Sequence, residues 1–309
     1  MFQGMHYVYE VYKEMSFSKA ARNLFISQPS LSAAVKKAEA QIGFPIFDRS
    51  SNHIQLTELG KEYIRSVEII MDVENGFQNY INDMKELKSG TIAIGGTNLF
   101  ASYVLPPLLS RFTEQYPQVQ VNLIEATTSQ LTDRLFSGSL DLLIDNKSMD
   151  PAIYQKSFFC EEQLLLAVPI RLSVNEKLKN YALTASDIRE NRHLNSRIPP
   201  VPLENFQEES FLLLKSGNDT RTRADRICHN AHVIPKIKLE LDQQITAYNL
   251  SRYGMGISFC SDTLVRHVPD DEGLVYYKLN HQDALREVNF YYKRNRYMPR
   301  IVSTFLDMI

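Results

Sequence analysis

The sequence has few cysteines and no long apolar run. Its three cysteines, Cys160, Cys228 and Cys260, are odd in number and widely spaced, which excludes a disulfide framework and fits a reducing compartment. No stretch approaches the roughly 20 consecutive apolar residues that a membrane span needs. The N-terminal residues also lack the basic start and apolar core of a signal peptide. We therefore expect a cytoplasmic protein that has no contact with a membrane.

A strong excess of charge of either sign is also missing. The formal net charge is −2 over 309 residues, with 44% hydrophobic and 23% charged residues, as is ordinary for globular proteins. Residues 1–57 hold six Lys and Arg against four Asp and Glu, whereas residues 58–90 hold four against seven. The basic surplus of the first segment permits nucleic-acid binding without requiring it. The length suits two or three domains.

The first 57 residues show the pattern of a winged helix-turn-helix. Three short helices are predicted over residues 4–14, 17–24 and 27–41. Ser27 is placed to cap the third helix, Pro29 lies just inside its start, and Gly43 follows its end. Two short extended pieces, at 46–47 and 54–56, then predict a small hairpin.

Residues 58–88 are predicted to form one long linker helix. Apolar residues recur there at alternating spacings of three and four, over a length of roughly 45 Å. Such a seam favours pairing with the same helix of a second subunit. An amphipathic helix lying on its own domain is the alternative. The predicted dimerisation residues are Leu59, Tyr63, Ile70, Val73, Phe77, Tyr80 and Met84.

Beyond the break at Lys88–Gly90, strand-like and helical segments alternate, which predicts an α/β domain over residues 89–309. About 220 residues is large for one sheet, so we expect two subdomains with a cleft between them. The strands are predicted at 91–95, 120–125, 141–145, 163–168, 211–214, 236–241 and 256–260, and the helices at 105–115, 130–136, 220–230 and 244–253.

Five short motifs of the N-terminal segment resemble the DNA-binding domain of LysR-type transcriptional regulators. They are F-S-K-A-A-R-N-L at 17–24, S-Q-P-S-L-S at 27–32, Glu39, I-F-D-R at 46–49 and L-T-E-L-G at 56–60. The C-terminal part is similar to the effector domain of the same family, although more loosely. The segments that carry this likeness are S-G-T-I-A-I-G at 89–95, L-P-P-L-L-S-R-F at 105–112 and Y-G-M-G-I-S-F at 253–259.

The resemblance implies a two-subdomain effector-binding domain of the periplasmic-binding-protein type. It places the two chain crossings near 161–163 and 266–268, so that subdomain I holds residues 91–162 and 267–309 and subdomain II holds 163–266. It also implies a regulator of promoters that binds an interrupted palindrome of double-stranded DNA as a homodimer or homotetramer and contacts RNA polymerase.

The start of the third helix supplies the predicted contacts with DNA. Polar side chains on the first turns of a recognition helix read the major groove, and nearby basic groups hold phosphates. Gln28 can bind an adenine edge through two hydrogen bonds. The few charges predict a shallower salt dependence than a more basic wing would give. The predicted DNA-binding residues are Ser18, Ser27, Gln28, Pro29, Ser30, Ser32, Ala33, Lys36, Lys37, Arg49, Asn52 and His53.

Loops that follow strands and lead into helices supply the predicted effector contacts. Hydroxyl groups and helix N-termini suit an anionic small molecule. Gly96 is expected to let the backbone approach the ligand closely, whereas Asp141 and Asp145 are given structural roles. The predicted effector-binding residues are Thr97, Asn98, Thr128, Ser129, Gly217, Asn218, Asp219 and Ser261.

Other functions fit less well. The sequence has neither a phosphate-binding glycine loop nor a nucleophile elbow, so no enzyme, catalytic residue or cofactor is predicted. The helix-turn-helix argues against a secreted solute-binding protein. A regulator switched by cysteine oxidation or by a metal remains the alternative, because Cys228, His229 and His232 have helical spacing. We nevertheless assign no metal ligand.

Overall fold

The structure, a computed structural model, describes residues 2–49, 54–84, 90–269 and 272–309. Its N-terminal part consists of α1 (Met5–Glu14), α2 (Phe17–Asn23), α3 (Gln28–Ile42), β1 (Phe47–Asp48), β2 (Gln55–Leu56) and α4 (Glu58–Met84). The first five elements form a winged helix-turn-helix, as predicted. None of the helices in these ranges is both long and apolar enough to cross a bilayer.

Local capping explains where the short helices begin and end. The Ser16 hydroxyl oxygen accepts a hydrogen bond from the Lys19 amide at the start of α2, and Ser27 accepts one from Ser30 at the start of α3. Gly43 ends α3 in the left-handed conformation, with φ +86°. Apolar side chains on the inner faces of α1 and α3 then close one small core, which includes Val8, Val11, Leu31, Val35 and Ile46.

The turn into α4 depends on Thr57 and Gly60. The Thr57 hydroxyl donates to the Pro45 carbonyl oxygen at 2.8 Å and accepts from the Gly60 amide at 2.9 Å. A Cβ atom on Gly60 would lie 2.1 Å from the Ile46 carbonyl oxygen. The L-T-E-L-G motif therefore joins the wing to α4 at a distance that only glycine allows.

The apolar seam of α4 has two different environments. Tyr63 and Val67 are buried in the helix-turn-helix core, and Ile70 packs against it half-buried. Val73 and Phe77, further along, are 68% and 65% exposed. The prediction of Tyr63 as a dimerisation residue is therefore wrong, since its ring is used inside its own domain. The buried residues fit an amphipathic helix that lies on its own domain, whereas pairing with a second subunit stays a prediction for the exposed ones.

The C-terminal part is α/β, as predicted. Its elements are β3 (Gly90–Gly96), α5 (Leu105–Gln115), β4 (Val119–Glu125), α6 (Thr128–Ser137), β5 (Leu142–Asp145), β6 (Tyr154–Pro169), α7 (Val174–Lys177), α8 (Ala185–Arg189), β7 (Ser210–Leu214), α9 (Asp219–Asn230), β8 (Lys236–Leu241), α10 (Gln244–Arg252), β9 (Ile257–Ser261), α11 (Asp262–His267), β10 (Leu274–Lys278), β11 (Leu285–Lys293) and α12 (Arg300–Met308). A π-helical turn, Phe100–Val104, precedes α5.

Two lobes share the long strand β6. In lobe I the strand order is β4-β3-β5-β11-β6, with β3 parallel to β4 and β5. In lobe II the order is β6-β9-β7-β8, with β10 also paired to β6. The parallel strands end in loops that lead to α6 in lobe I and to α9 and α10 in lobe II. These loops face the cleft between the lobes.

Strand pairing corrects one of the two predicted crossings between the lobes. Gln163 pairs with β11 in lobe I and Leu164 pairs with β9 in lobe II, so the first crossing lies where it was predicted. The second does not lie at 266–268, because β10 still pairs with residues 165–169 of lobe II. The chain returns to lobe I between β10 and β11, through the short helical turn Gln282–Ala284. The predicted boundary failed because β10 was not recognised as a strand.

A cluster of ion pairs fastens α4 to lobe I. Asp72 lies 2.9 Å from the Lys293 amine and 2.7 Å from Arg296 Nε, and its side chain is 5% exposed. Arg296 also contacts Asp141 at 2.9 Å. A Cβ atom on Gly138 would lie 1.8 Å from the Asp72 carboxylate. We call Asp72, Asp141, Lys293 and Arg296 the linker clamp; the structural role predicted for Asp141 agrees with it.

Candidate functional site

The outer face of α3 is polar and exposed over its first turns. Gln28, Pro29, Ser30 and Ala33 are exposed, and Lys36 and Lys37 continue the same open surface. Leu31 and Val35, on the opposite face, are completely buried, so the helix cannot rotate its polar face inward. Ser18 on α2 is exposed beside it, whereas Ser32 is half-buried. The geometry offers one helix face to a groove about as wide as a helix.

Hydrogen bonds within the chain already use some of the predicted DNA-binding groups. The Ser27 and Ser30 hydroxyls lie 2.7 Å apart, so both serve the cap of α3. Arg49 pairs with Glu39 at 3.1 Å and lies 4.6 Å above the centre of the Phe17 ring. Glu39 accepts the amides of Ile46 and Phe47 through its other oxygen. Glu39 thus holds the wing to α3, while Asn52 and His53 lie outside the described residues.

The second site is the cleft between the lobes, where a cavity of about 350 Å³ opens. It is bounded by the ends of β3, β5, β7 and β8 and by the first turns of α6, α9 and α10. Seven of the eight predicted effector-binding residues line it, together with several that the sequence reasoning missed. The seven are Thr97, Asn98, Thr128, Ser129, Gly217, Asn218 and Asp219, and the missed ones include Asp145, Asn146, Gln244 and Arg286.

Two helices point their N-terminal turns at this cavity from opposite lobes. Thr127 caps α6 by accepting from the Gln130 amide, and Asn218 caps α9 by accepting from the Thr220 amide. Thr128, Ser129 and Asp219 therefore belong to the first helical turns rather than to the caps. First-turn amides have no partner within a helix and carry partial positive charge. Gly217, with φ +89°, lets the chain turn into α9.

Arg286 crosses the base of the cleft. Its side chain is 1% exposed and donates from Nε to Glu162 at 2.6 Å and from Nη1 to Asp219 at 2.9 Å. It also donates to the Thr220 hydroxyl at 3.0 Å. Asn146 donates to the same Glu162 oxygen. Glu162 belongs to lobe I and Asp219 belongs to lobe II. Because Arg286 contacts both carboxylates, its side chain is fixed where the lobes meet.

Asp145 lies in lobe I at the end of β5 and is 2% exposed. Its two oxygens accept from the Thr128 hydroxyl and the Lys147 amide, both at 2.8 Å. Burial raises the pKa of this carboxyl, and this effect outweighs the lowering by the two hydrogen bonds and by Arg286, while the Asp219 carboxylate adds to the increase. The structural role predicted for Asp145 is incomplete, since the residue also lines the cavity.

Gln244, at the start of α10, forms part of the lobe II wall. Its carbonyl oxygen accepts from the Ser261 hydroxyl at 3.2 Å, but its side-chain amide nitrogen is buried and has no acceptor among the described residues. Ser261 is completely buried and also caps α11 by accepting from the Leu264 amide. The prediction of Ser261 as an effector contact is therefore wrong, because Gln244 lies between it and the cavity.

The glycines of the β3 loop serve packing rather than ligand contact. A Cβ atom on Gly95 would lie 2.8 Å from Leu131 and Leu140, and one on Gly96 would lie 3.0 Å from Phe100. The Gly96 backbone was expected to lie close to a ligand. It lies close to Phe100 of the same chain instead. Thr97 and Asn98 follow at the rim of the cleft, half-buried, and Asn98 donates to Glu125 at 2.9 Å.

Cys228 and Cys260 are buried in the core of lobe II, and Cys160 packs half-buried against the core of lobe I. Burial raises the pKa of Cys160 and of Cys228 to about 12 and that of Cys260 still further, so all three are thiols at neutral pH. Cys228 is buried, whereas His229 and His232 are exposed, so these donors do not converge. Within the described ranges no three His, Cys, Asp or Glu side chains form a group that could hold a metal.

A winged helix-turn-helix on a long helix, followed by a two-lobed domain with a polar cleft, defines a DNA-binding regulator with a ligand-binding domain. Residues 2–61 match the family model for bacterial regulatory helix-turn-helix proteins of the lysR family, and residues 85–309 match that for the LysR substrate binding domain. The chain belongs to the LysR family of transcriptional regulators.

Individual relatives agree with this assignment. The chain is 28% identical to an uncharacterized HTH-type transcriptional regulator, YcgK, of Bacillus subtilis (strain 168), over 98% of this chain and 92% of that protein. It is 25% identical to a probable RuBisCO transcriptional regulator of Synechocystis, over 95% and 81%. Among solved structures, full-length OxyR of Pseudomonas aeruginosa superposes with a TM-score of 0.73 at 21% identity, covering 100% of this chain and 94% of that one. The LysR-family regulator CbnR superposes with a TM-score of 0.65 at 16% identity, over 100% and 97%. At these identities the structures show the fold.

Proposed function

We propose that this regulator controls its promoters through a small molecule bound in the cleft, and that an anionic group of this effector is held at the lobe II wall. The proposal depends mainly on the Gln244 amide, a buried donor for which the described part of the chain offers no acceptor. A buried donor without a partner costs roughly 1 to 3 kcal/mol. A ligand carboxylate or similar acceptor would remove that cost, with the first turns of α6 and α9 close by.

DNA binding is assigned to the exposed face of α3, chiefly Gln28 and Ser30, with phosphate contacts from Lys36 and Lys37. The exposed seam of α4 is proposed to pair two copies on an interrupted palindrome, and further pairing would give a homotetramer. CbnR, a structural neighbour, is described in complex with its target DNA. Contact with RNA polymerase belongs to the same proposal, and the protein is proposed to act by binding rather than by catalysis.

The effector acts as a switch only if it binds one arrangement of the lobes more tightly than the other. Contacts on both lobes meet this condition, because closing the cleft brings Thr128 and Gln244 toward one ligand. The change would pass through the linker clamp to α4 and so to the spacing of the two recognition helices.

The test is a thermal-shift screen of a metabolite library against the full chain, followed by calorimetry on the hits. Gln244→Glu keeps the oxygen that accepts from Ser261 but turns the donor toward the ligand into an acceptor. We expect it to weaken an anionic effector by at least about tenfold. Gln207→Glu, an exposed site in lobe II, adds the same charge away from the cleft and should change nothing. A library without any hit, or equal binding by Gln244→Glu, contradicts the proposal.

A further inference from the structure

The charged groups around the cleft do not balance. Lys215 pairs with Asp242 at 2.8 Å, and Arg286 pairs with Glu162 and Asp219. Arg223 also pairs with Asp219, at 2.8 Å. Of the five charged side chains that line the cavity, Lys215, Asp219, Asp242 and Arg286 are thus in ion pairs. The fifth, Asp145, has no ion pair among the described residues.

A buried carboxylate without a cation is unusual. Charged groups inside proteins are normally paired, because removing a lone charge from water costs several kcal/mol. In the described ranges the hydrogen-bond donors to Asp145 are two neutral groups, the Thr128 hydroxyl and the Lys147 amide. Arg286 attracts this carboxyl without forming an ion pair with it, whereas Asp219 across the cleft repels it. A group that completes the pairing of Asp145 would therefore be positive.

We propose, on the basis of the function proposed above, that the effector is a small zwitterion of the α-amino-acid type whose ammonium group binds Asp145. Its carboxylate would face the unpartnered Gln244 amide and the helix N-termini. One ligand then satisfies two unmatched groups of opposite character, a buried acceptor in lobe I and a buried donor in lobe II. The cavity of about 350 Å³ suits a molecule of this size.

The same ligand would favour closure of the cleft. An ammonium group bound to Asp145 of lobe I would also attract the Asp219 carboxylate of lobe II, and this gain grows as the lobes approach. The open and closed arrangements therefore differ in affinity for a cationic group, which is the requirement for a switch. An anion alone would meet the carboxylates of Asp145 and Asp219 without any unpaired cation.

The experiment uses pairs of probes on the full chain. Each L-amino acid is compared, by thermal shift and calorimetry, with the carboxylic acid that has the same side chain and hydrogen in place of the amine. We expect at least one amino acid to stabilise the protein and its amine-free counterpart to bind roughly 10- to 100-fold more weakly. Asp145→Asn should weaken the amino acid by a similar factor and remove the difference within the pair. Asp133→Asn, an exposed carboxylate of lobe I, is the control and should leave the difference intact.

Equal binding of amino acid and amine-free acid by the wild-type chain overturns the inference, and that comparison needs no variant. Undiminished discrimination by a folded Asp145→Asn variant also overturns it. If neither series binds, the zwitterion assignment is wrong. The proposed function is then judged separately, because a hit from the wider metabolite library would preserve the cleft as an effector site.

Discussion

In the part of the chain that the structure describes, the second half of α4 and the cleft both contain groups that the fold leaves incompletely matched, but the groups are of opposite kinds. On α4 they are apolar, chiefly Val73 and Phe77. In the cleft they are polar and charged, chiefly Asp145 and Gln244. Water solvates a polar surface but not an apolar one, so the first surface gains most from another protein surface. The second gains most from a ligand that supplies matching charge and hydrogen bonds.

The linker clamp lies between these two regions and contains a buried carboxylate that is paired with cations. Asp72 and Asp145 are both buried aspartates, 5% and 2% exposed. Asp72 has two cations within 3 Å, Lys293 and Arg296. Asp145 forms no such pair in the described part of the chain. Changes to these residues should therefore have opposite effects on stability.

Removing the Asp72 carboxylate should have the largest effect. Asp72→Ala leaves the largely buried Lys293 amine without its acid and leaves Arg296 with Asp141 alone; breaking a buried pair from one side costs about 3 to 5 kcal/mol. Urea unfolding of the full chain measures this loss of stability. Asp83→Ala also removes a contact from α4 to lobe I, with the Tyr297 hydroxyl, but at an exposed site. It should cost no more than about 1 kcal/mol, and an equal loss for both variants would refute the distinction.

Charging the exposed seam should cost DNA binding but not folding. In Val73→Asp/Phe77→Asp, two carboxylates would face a second helix across the proposed interface, so sedimentation should show monomers. Losing the second helix-turn-helix should lower affinity for an operator fragment by about 100-fold or more. Asn75→Asp adds charge on the other side of α4 and should preserve both properties. If the double variant still binds the operator as a dimer, the proposed pairing through α4 is wrong. The assignment of DNA binding to α3 would not be affected.

Asp145→Asn should slightly stabilise the ligand-free chain at neutral pH. The pKa of Asp145 is raised in the folded state above the value of about 3.9 for an exposed aspartate, so the folded chain holds this proton more tightly than the unfolded chain does. Stability is therefore lost as the pH rises through this range. The variant should melt at a higher temperature than the wild type at pH 7, and the difference should vanish toward pH 4. Melting curves at both pH values check this, and a variant that melts lower at pH 7 would show that Asp145 has a stabilising partner.

The smallest effect is expected from reagents that attack the cysteine thiols of the folded chain. With the pKa values of Cys160 and Cys228 near 12, almost no thiolate exists at pH 8. Labelling by a disulfide reagent should be at least about 100-fold slower than in the urea-unfolded chain. Since the folded pKa values lie above about 8.5, the stability due to burial of the thiols is present below that pH and lost above it. Rapid native labelling, or loss of DNA binding on mild peroxide treatment, would instead support the redox alternative.

Local features of the sequence were sufficient to predict the helix-turn-helix. Caps such as Ser16 and Ser27, the stop at Gly43 and the apolar spacing of α3 act over a few residues, so they can be recognised without a structure. The seam of α4 was recognised for the same reason. Its division into a buried and an exposed half could not be predicted from the sequence. Tyr63 and Phe77 have equivalent positions in the pattern and differ only in which part of the folded chain packs against them.

For the cleft, the sequence by itself determined the loops but not the chemistry. Turn residues and strand ends identified Thr97, Thr128 and Asn218, which line the cavity. Arg286 and Glu162 are 124 residues apart along the chain and meet only because β6 and β11 pair. Whether a carboxylate has a cation beside it depends on such distant pairing, so only the tertiary structure could show that Asp145 lacks one. Secondary structure was determined by neighbours along the chain, and the balance of charge by neighbours in space.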